Sequence, residues 1–377
     1  MRVAHVVPSL IKGGAERLAL NICDELEKLG HEVLVISLRD DNRYPELSAD
    51  KVRIADASVY YSMLGSDRIN IAGYESIIDQ FKPDVIHSHL VDSELVSRHN
   101  PRENVAYITH WHGCPSLTNP VPFSERFNRE YVWKWNTKRR LLKNYQTCNN
   151  HFLCISEFIQ NYVKENLGAK DSETTIIHNA IDLNRFRPIE TEKKSGFRLI
   201  SIGSLQKNKN HPFLFKVVRK LLDDGLNDVY LDVYGEGPEH AFLSSEIERL
   251  KLSDRVTLHG IVSDPEVQLN QAHLLIHSAW HEPFGLIFIE AMACGIPVVS
   301  FNTGGPAELI NDGENGYLIP KDDLEGFCSR IRDFYKNREQ LDIIGQHGIQ
   351  HAKQFGLSEY SKKIEALYKQ RLAVVRK

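Results

Sequence analysis

Two glutamates, Glu282 and Glu290, separated by seven residues, sit in the chain's densest cluster of chemistry-bearing residues, HEPFGLIFIEAMACGIPVVSFNTGGPAELINDGENGYLIP, from His281 to Pro320. Phe284 and Gly285 precede an apolar helical stretch, and the first turn of such a helix offers free backbone N–H groups to an anion. Glu290, farther along that helix, could accept two hydrogen bonds from the hydroxyls of a ribose. Glu282, just before it, lies close enough to reach a sugar. A second glycine turn, Gly304-Gly305, opens another helix start. Two glutamates at this spacing are, in isolation, better read as solvated side chains of one helix; the combined string is far more specific. Two HxH pairs, His87 with His89 and His110 with His112, could ligate a metal, but no carboxylate or cysteine set completes either site. His87 and His110 are expected to be packed or hydrogen-bonded, and His89 to line a cleft. The glycine loop GGAE at Gly13–Glu16 is not a GxGxxG, so a nicotinamide cofactor is not expected.

The elements that must position these residues alternate strand and helix. Val3 to Val7 is a compact apolar run, followed by SLIKGGAE and then a helix from Arg17 to Leu29 with Leu18, Ile22, Leu26 and Leu29 at helical spacing. Gly30 stands where the chain leaves that helix, and HEVLVISL resumes a strand. DVIHSH, VAYITHW, HFLCIS and TTIIHN continue the alternation. Apolar strands without polar alternation, separated by helices, predict a parallel sheet covered on both faces. This first α/β domain is expected over residues 1–179. AIDLNRFRPIETEKKSG is polar, carries Pro188 and has no apolar period, so residues 180–196 are expected to be a linker. The pattern restarts with FRLISIG, HPFLFKVVRKLLDDG and VYLDVYG, giving a second domain over 197–356. Residues 357–377 form a last helix, with Tyr360, Ile364, Leu367 and Leu372 at helical spacing. Two doubly wound domains joined by a linker predict a cleft at the carboxyl ends of both sheets, where open α/β folds bind ligands.

The chain has 377 residues, 42% hydrophobic and 25% charged, an ordinary globular composition that excludes a largely disordered chain. Its 46 basic and 50 acidic residues leave a formal charge of −4, which gives no support to wholesale nucleic-acid coating. No nucleic-acid partner is expected. Apolar runs are strand-length, far short of the ~20 residues of a membrane span. MRVAHVVPSL lacks the apolar core and cleavage site of a signal peptide. Six scattered cysteines without CxxC pairing fit a reduced compartment, and a cytoplasmic protein is expected.

Seven strings together identify the chain as resembling the retaining glycosyltransferases of family 4, which have the GT-B fold of two facing Rossmann-like domains. They are the Glu282/Glu290 block, GGAE at Gly13–Glu16, His112-Gly113, NAIDLNRFRP from Asn179 to Pro188, GSLQKNKN from Gly203 to Asn210, GEGP from Gly235 to Pro238, and His259-Gly260. The resemblance implies that Glu290 holds the nucleotide ribose and that Glu282 contacts hydroxyls of the transferred sugar. The backbone around Phe284, Gly285 and Leu286 would meet sugar and diphosphate. Lys209 would neutralise the diphosphate, Gly13 and Gly14 would admit the phosphates close to the backbone, and His112 would contact the sugar near the reacting carbon. Gly260 and Ile261 would hold the base. The C-terminal helix would cross back to the N-terminal domain. Ser204 departs from the family, which usually carries an arginine there, and Lys207 in the same loop is a candidate for the missing charge. Fixed cations and helix N–H groups can stabilise a leaving diphosphate without a metal, and no metal or other cofactor is expected.

The activity implied is transfer of a hexose or N-acetylhexosamine from a sugar nucleotide, most readily a UDP-sugar, to a hydroxyl of a glycan or lipid-linked acceptor in polysaccharide or glycolipid assembly. The alternatives are a small soluble acceptor (a sugar phosphate, an inositol phosphate or malate) and a weakened sugar-nucleotide-binding protein. One stretch adds a membrane expectation. REYVWKWNTKRRLLK, from Arg129 to Lys143, sets six basic residues and two tryptophans against Glu130. Drawn as a helix it places Tyr131, Trp135, Leu142 and Tyr145 on one face with Lys138 among them. Either an interfacial helix on anionic lipid at the inner face of the cell membrane or a packed helix with a solvated basic side fits this pattern.

Overall fold

The computed structural model describes residues 1–11, 13–41, 44, 51–62, 66–115, 117, 129–192 and 194–376. The chain divides into two units, Met1–Asn179 with Leu357–Lys377, and Ala180–Gly356.

Unit 1 begins with β1 (Arg2–Val7), α1 (Gly14–Lys28), β2 (Glu32–Ser37) and β3 (Val52–Ile54). A short antiparallel hairpin follows, β4 (Ser58–Tyr60) and β5 (Arg68–Asn70). Next come α2 (Ala72–Phe81), β6 (Val85–His89), α3 (Val91–Ser97), β7 (Ala106–Trp111), α4 (Arg129–Thr147), β8 (His151–Cys154), α5 (Glu157–Leu167) and β9 (Thr174–Ile176). Seven strands form one sheet in the order β3-β2-β1-β6-β7-β8-β9, and every pair in it is parallel. The central strands are buried along nearly their whole length because helices cover both faces, which is why their sequences lack polar alternation. The strand order reverses between β1 and β6. Arg98, fully buried after α3, ties this region together by donating to Ser88 of β6, Thr109 of β7 and Asn150 before β8.

Unit 2 repeats the design with β10 (Phe197–Ile202), α6 (His211–Asp223), β11 (Val229–Tyr234), α7 (His240–Arg249), β12 (Val256–Leu258), α8 (Pro265–Gln271), β13 (Leu274–His277) and α9 (Leu286–Ala293). It closes with β14 (Val298–Phe301), α10 (Pro306–Leu309), β15 (Tyr317–Ile319), α11 (Leu324–Lys336) and α12 (Arg338–Ala352). Its six strands are all parallel, in the order β12-β11-β10-β13-β14-β15, with the reversal between β10 and β13. Phe213, Phe301, Phe327 and Phe334 anchor a single buried core under α6, α11 and α12.

The expected linker is corrected. Residues 180–196 pack onto unit 2, because Ala180, Ile181 and Phe186 are buried there. The Ile181 N–H donates to the Phe355 carbonyl at 2.9 Å. Arg185 pairs with Glu266 at 2.8 Å, and Asn270 bonds the backbone of both Arg187 and Ile189. The polar composition that reads as linker is polar because it bonds a neighbouring helix. The last helix, α13 (Leu357–Val375), lies in unit 1 and packs on α1 and β7 through Tyr360, Ile364, Leu367, Tyr368 and Leu372.

The expected face of α4 is also corrected. Thr137, Leu141, Tyr145 and Cys148 point inward, whereas Trp135 is half exposed. Trp133 stacks on Tyr60, and the Tyr145 hydroxyl donates to Glu94. Arg140 is engaged by Asp67 and by the Tyr61 ring, and Lys134 pairs with Glu130. A face drawn on periodicity alone follows apolar residues, and here Thr137 and Leu141 pack inward beside Tyr145 while Trp135 turns outward.

Candidate functional site

In unit 2 the site residues gather on the loops that follow β10, β11 and β13. The β10 loop runs through Ser204 into a single 3-10 turn, Lys207–Lys209. Its backbone is pinned at the far end, where the Ser278 hydroxyl donates to the carbonyls of Lys209 and Asn210 and the Trp280 N–H donates to Asn208. Gly235, in the GEGP string, adopts φ 140 and donates to the Gly260 carbonyl at 2.7 Å. A Cβ there would stand 1.9 Å from the Gly203 carbonyl oxygen, so only glycine lets the β10 and β11 loops close on one another. Gly260 is left-handed and Ile261 is 69% exposed, an apolar side chain held at the surface beside this edge.

Glu282 is the centre of the charge. Lys209 Nζ donates to its Oε2 at 2.5 Å and His277 Nε2 lies 3.2 Å from the same oxygen. Burial pushes the Glu282 carboxyl up, but the His277 hydrogen bond and the Lys209 charge outweigh it and hold it at about 2. Burial likewise pushes His277 down, against the pull of Glu282.

Gly285 caps α9 with φ 90, and a Cβ there would collide with the Phe288 ring at 2.3 Å. Phe284 is buried, so its side chain can offer a ligand nothing and only its backbone is in play. Leu286 opens the helix, and Glu290 lies one turn on. The Glu290 carboxyl is pushed up to about 7 by burial, with Glu266 adding to the rise and Arg185 opposing it. Among the described residues it has neither hydrogen-bond nor ion-pair partner. Lys207 is exposed and lines a pocket with Gln206, His211, Glu239, Phe242 and Trp280, making no ion pair among the described residues.

In unit 1 a pocket of about 540 Å³ opens at the carboxyl edge of the sheet, lined by Ser9, Glu16, Arg39, Asp92, His110 and His112 among others. Gly13 is the extended N-cap of α1 and Gly14 its first residue, with the Glu16 side chain folded back against Gly13. Burial pushes Glu16 up and raises Glu94, also at this pocket, to about 7. Arg39 pairs with Asp92 at 2.7 Å. His89 is corrected. It is buried between His5 and His112, whereas His110 reaches the pocket. Burial pushes His112 down to about 3. His5 and His277 escaped the sequence reading; each is a histidine on a strand at the carboxyl edge, the same signal that singled out His87 and His110.

Two family models match, one described as Glycosyltransferase Family 4 over residues 12–185 and one as Glycosyl transferases group 1 over residues 183–351. Together they span nearly the whole chain, and the chain belongs to glycosyltransferase family 4. The N-acetyl-alpha-D-glucosaminyl L-malate synthase of Bacillus anthracis is 25% identical over 94% of this chain and 93% of its own. The alpha-1,3/1,6-mannosyltransferase ALG2 of Rhizomucor pusillus is 24% identical over 97% and 91%. Among solved structures, Anabaena HepE in complex with UDP and glucose superposes with a TM-score of 0.77 at 18% identity, covering 97% of this chain and 99% of that one. The fold is GT-B and the protein is a glycosyltransferase.

Proposed function

We propose that this glycosyltransferase moves a hexose or N-acetylhexosamine from a UDP-sugar to a hydroxyl of a glycan or lipid-linked glycan, with retention at the anomeric carbon. The observation that carries the donor half is the Lys209–Glu282–His277 cluster beside the Gly285 helix start, with the unpartnered Glu290 carboxyl one turn along. Glu290 accepts the two ribose hydroxyls. Glu282, ionised, accepts from hydroxyls of the sugar, and the diphosphate draws Lys209 towards itself. The N–H groups at Gly285 and Leu286 meet the same charge. Ser204 adds a neutral hydroxyl where an arginine would add a cation, so Lys209 carries the leaving-group charge largely alone. Gly260 and Ile261 hold the base, Gly13 and Gly14 admit the phosphates, and His112 contacts the sugar. The acceptor hydroxyl oxygen forms the new bond to the anomeric carbon as the bond to the phosphate oxygen breaks. The departing phosphate oxygen takes the acceptor's proton. No metal enters this scheme, and EDTA is expected to leave turnover intact.

HepE's complex with UDP and glucose supports a uridine donor. The charge of the unit 1 pocket supports a neutral acceptor. Asp92 is paired with Arg39 and burial raises Glu16 and Glu94, so among the described residues the pocket offers no unpaired cation to draw in malate or a sugar phosphate, while its polar side chains can hydrogen-bond sugar hydroxyls. A lipid carrier would bring the chain to a membrane. No helix among the described residues is long and apolar enough to cross one, and α4 offers Trp135, Arg139 and Lys143 as the exposed contact.

A thermal-shift screen across UDP-, GDP- and ADP-sugars tests the reading. A UDP-sugar at ~100 times its dissociation constant should stabilise the chain by ~2.7 kcal/mol. A shift only with another nucleotide would overturn the uridine assignment, and no shift with any would overturn the donor site.

A further inference from the structure

Five imidazoles meet at the carboxyl edge of the unit 1 sheet: His5 of β1, His87 and His89 of β6, His110 of β7 and His112 just after it. Four of them join with one tyrosine in an unbroken line. His87 Nδ1 lies 2.5 Å from the Tyr368 hydroxyl of α13, and that hydroxyl lies 3.3 Å from His5 Nε2. His5 Nδ1 is 3.0 Å from His89 Nε2, and His89 Nδ1 is 3.0 Å from His112 Nε2. His5, His87, His89 and Tyr368 are all buried, whereas half-buried His112 lines the pocket. Burial pushes every one of these imidazoles far down, so each is neutral at physiological pH.

A neutral imidazole has one N–H and one bare nitrogen. Each inner ring uses both nitrogens in the line, and the tyrosine has a single proton to donate. The tyrosine oxygen could also accept from both neighbours, but its own buried proton would then lack an acceptor, so two arrangements satisfy the line and the direction of any one hydrogen bond fixes the others. In one, every proton points from His87 towards His112; in the other, every proton points back. The ends decide between them. His87 Nε2 is buried with no partner. If protons point back, Tyr368 donates to His87 Nδ1, and the proton of His87 must sit on Nε2 as an orphaned buried N–H, the rarer and costlier defect. If they point forward, His87 Nε2 is merely bare. At the other end half-buried His112 lines a pocket, where water or ligand can satisfy either form.

We propose that the line His87–Tyr368–His5–His89 fixes His112 as the Nδ1–H tautomer, so that His112 presents a hydrogen-bond donor to its pocket, with Tyr368 and His89 as positioning residues. A donor there grips a sugar or acceptor oxygen through its lone pair and has no bare nitrogen with which to take the acceptor's proton. His112 is thereby removed as a base for the acceptor's proton. The tautomer stands on the hydrogen-bond geometry and on the burial that keeps these rings neutral; its consequence for transfer rests on the reading of His112 as a sugar contact.

Long-range proton–nitrogen correlation of the 15N-labelled full chain at neutral pH tests it, with His112 assigned by loss of its signals in His112→Ala. The expected pattern is a pyrrole-type Nδ1 and a pyridine-type Nε2. Tyr368→Phe keeps the ring and removes the proton that orders the line. It should mix the two tautomers of His112 and lower kcat about tenfold, the worth of one hydrogen bond, with KM for the donor unchanged. A pyrrole-type Nε2 on His112 in the unaltered chain overturns the proposal, and so does a Tyr368→Phe spectrum identical to it. The spectrum of the unaltered chain decides the tautomer even if the variant fails to fold. Full turnover in His112→Ala would remove the sugar-contact reading instead, whatever the spectrum shows.

Discussion

The two units present the same kind of edge, a parallel sheet whose strand order reverses, and furnish it with opposite electrostatics. In unit 2 the groups are ionised: Glu282 is held at about 2 and paired with the Lys209 ammonium. In unit 1 burial keeps His5, His87, His89, His110 and His112 neutral and raises the carboxyls of Glu16 and Glu94, while Arg39 and Asp92 cancel one another at the pocket. On the proposed function the difference follows what each side recognises. A diphosphate that gains charge as it leaves needs fixed charge and helix N–H groups in place beforehand. Hydroxyls carry no net charge and need directed donors and acceptors, which neutral imidazoles supply.

Lys209→Ala strikes the charged side hardest. Turnover should fall about 10²–10³-fold, as when one preorganised donor to a developing anion is removed. UDP affinity should fall less, because the charge matters most as the bond breaks. Single-turnover kinetics alongside titration separate the two, and an equal loss in affinity with unchanged turnover would break the comparison. Glu290→Ala should weaken UDP binding by ~1.5–3 kcal/mol, since two ribose hydroxyls lose a charged acceptor. Calorimetric titration showing unchanged affinity would remove Glu290 from the ribose. His112→Ala, on the neutral side, should leave UDP affinity unchanged.

The pH dependence sharpens the contrast. The free Glu290 carboxyl sits at about 7 and bound ribose favours its ionised form, so binding expels a proton below that pH. UDP affinity should rise as pH increases towards 7, by at most about tenfold per unit, and level off above it. Glu290→Gln should flatten the profile. The smallest effect belongs to α4. With Arg140 and Lys134 already paired, Arg139→Gln with Lys143→Gln should cost vesicle binding ~1 kcal/mol per charge at low salt. Sedimentation with anionic vesicles reads it, and a chain that stays in the supernatant from the outset would detach α4 from the membrane.

The unit 2 site was legible because its parts are local. Glu282, Gly285 and Glu290 lie within one loop and one helix, and the Lys209 turn follows a strand that any periodicity reading finds. What the sequence hid is whatever depends on distant chain segments. Tyr368 meets His87 across 281 positions of sequence, and no spacing rule relates a C-terminal helix to the end of β6. The polar stretch at 180–196 looked like a linker because its partner, Asn270 of α8, is as polar as itself. His89 and His110 alternate along their strands as expected, but which of them reaches the pocket depends on neighbouring strands.

The most direct test of the account is the anomeric configuration of the product. The chain should be incubated with its stabilising UDP-α-sugar and a panel of hydroxyl glycan acceptors, and followed by proton NMR. The account predicts UDP release matched by a new glycoside whose anomeric proton shows the small coupling of the α configuration, the same as in the donor. A β-linked product would contradict retention. Absence of UDP release, even as slow hydrolysis without acceptor, would contradict transfer itself.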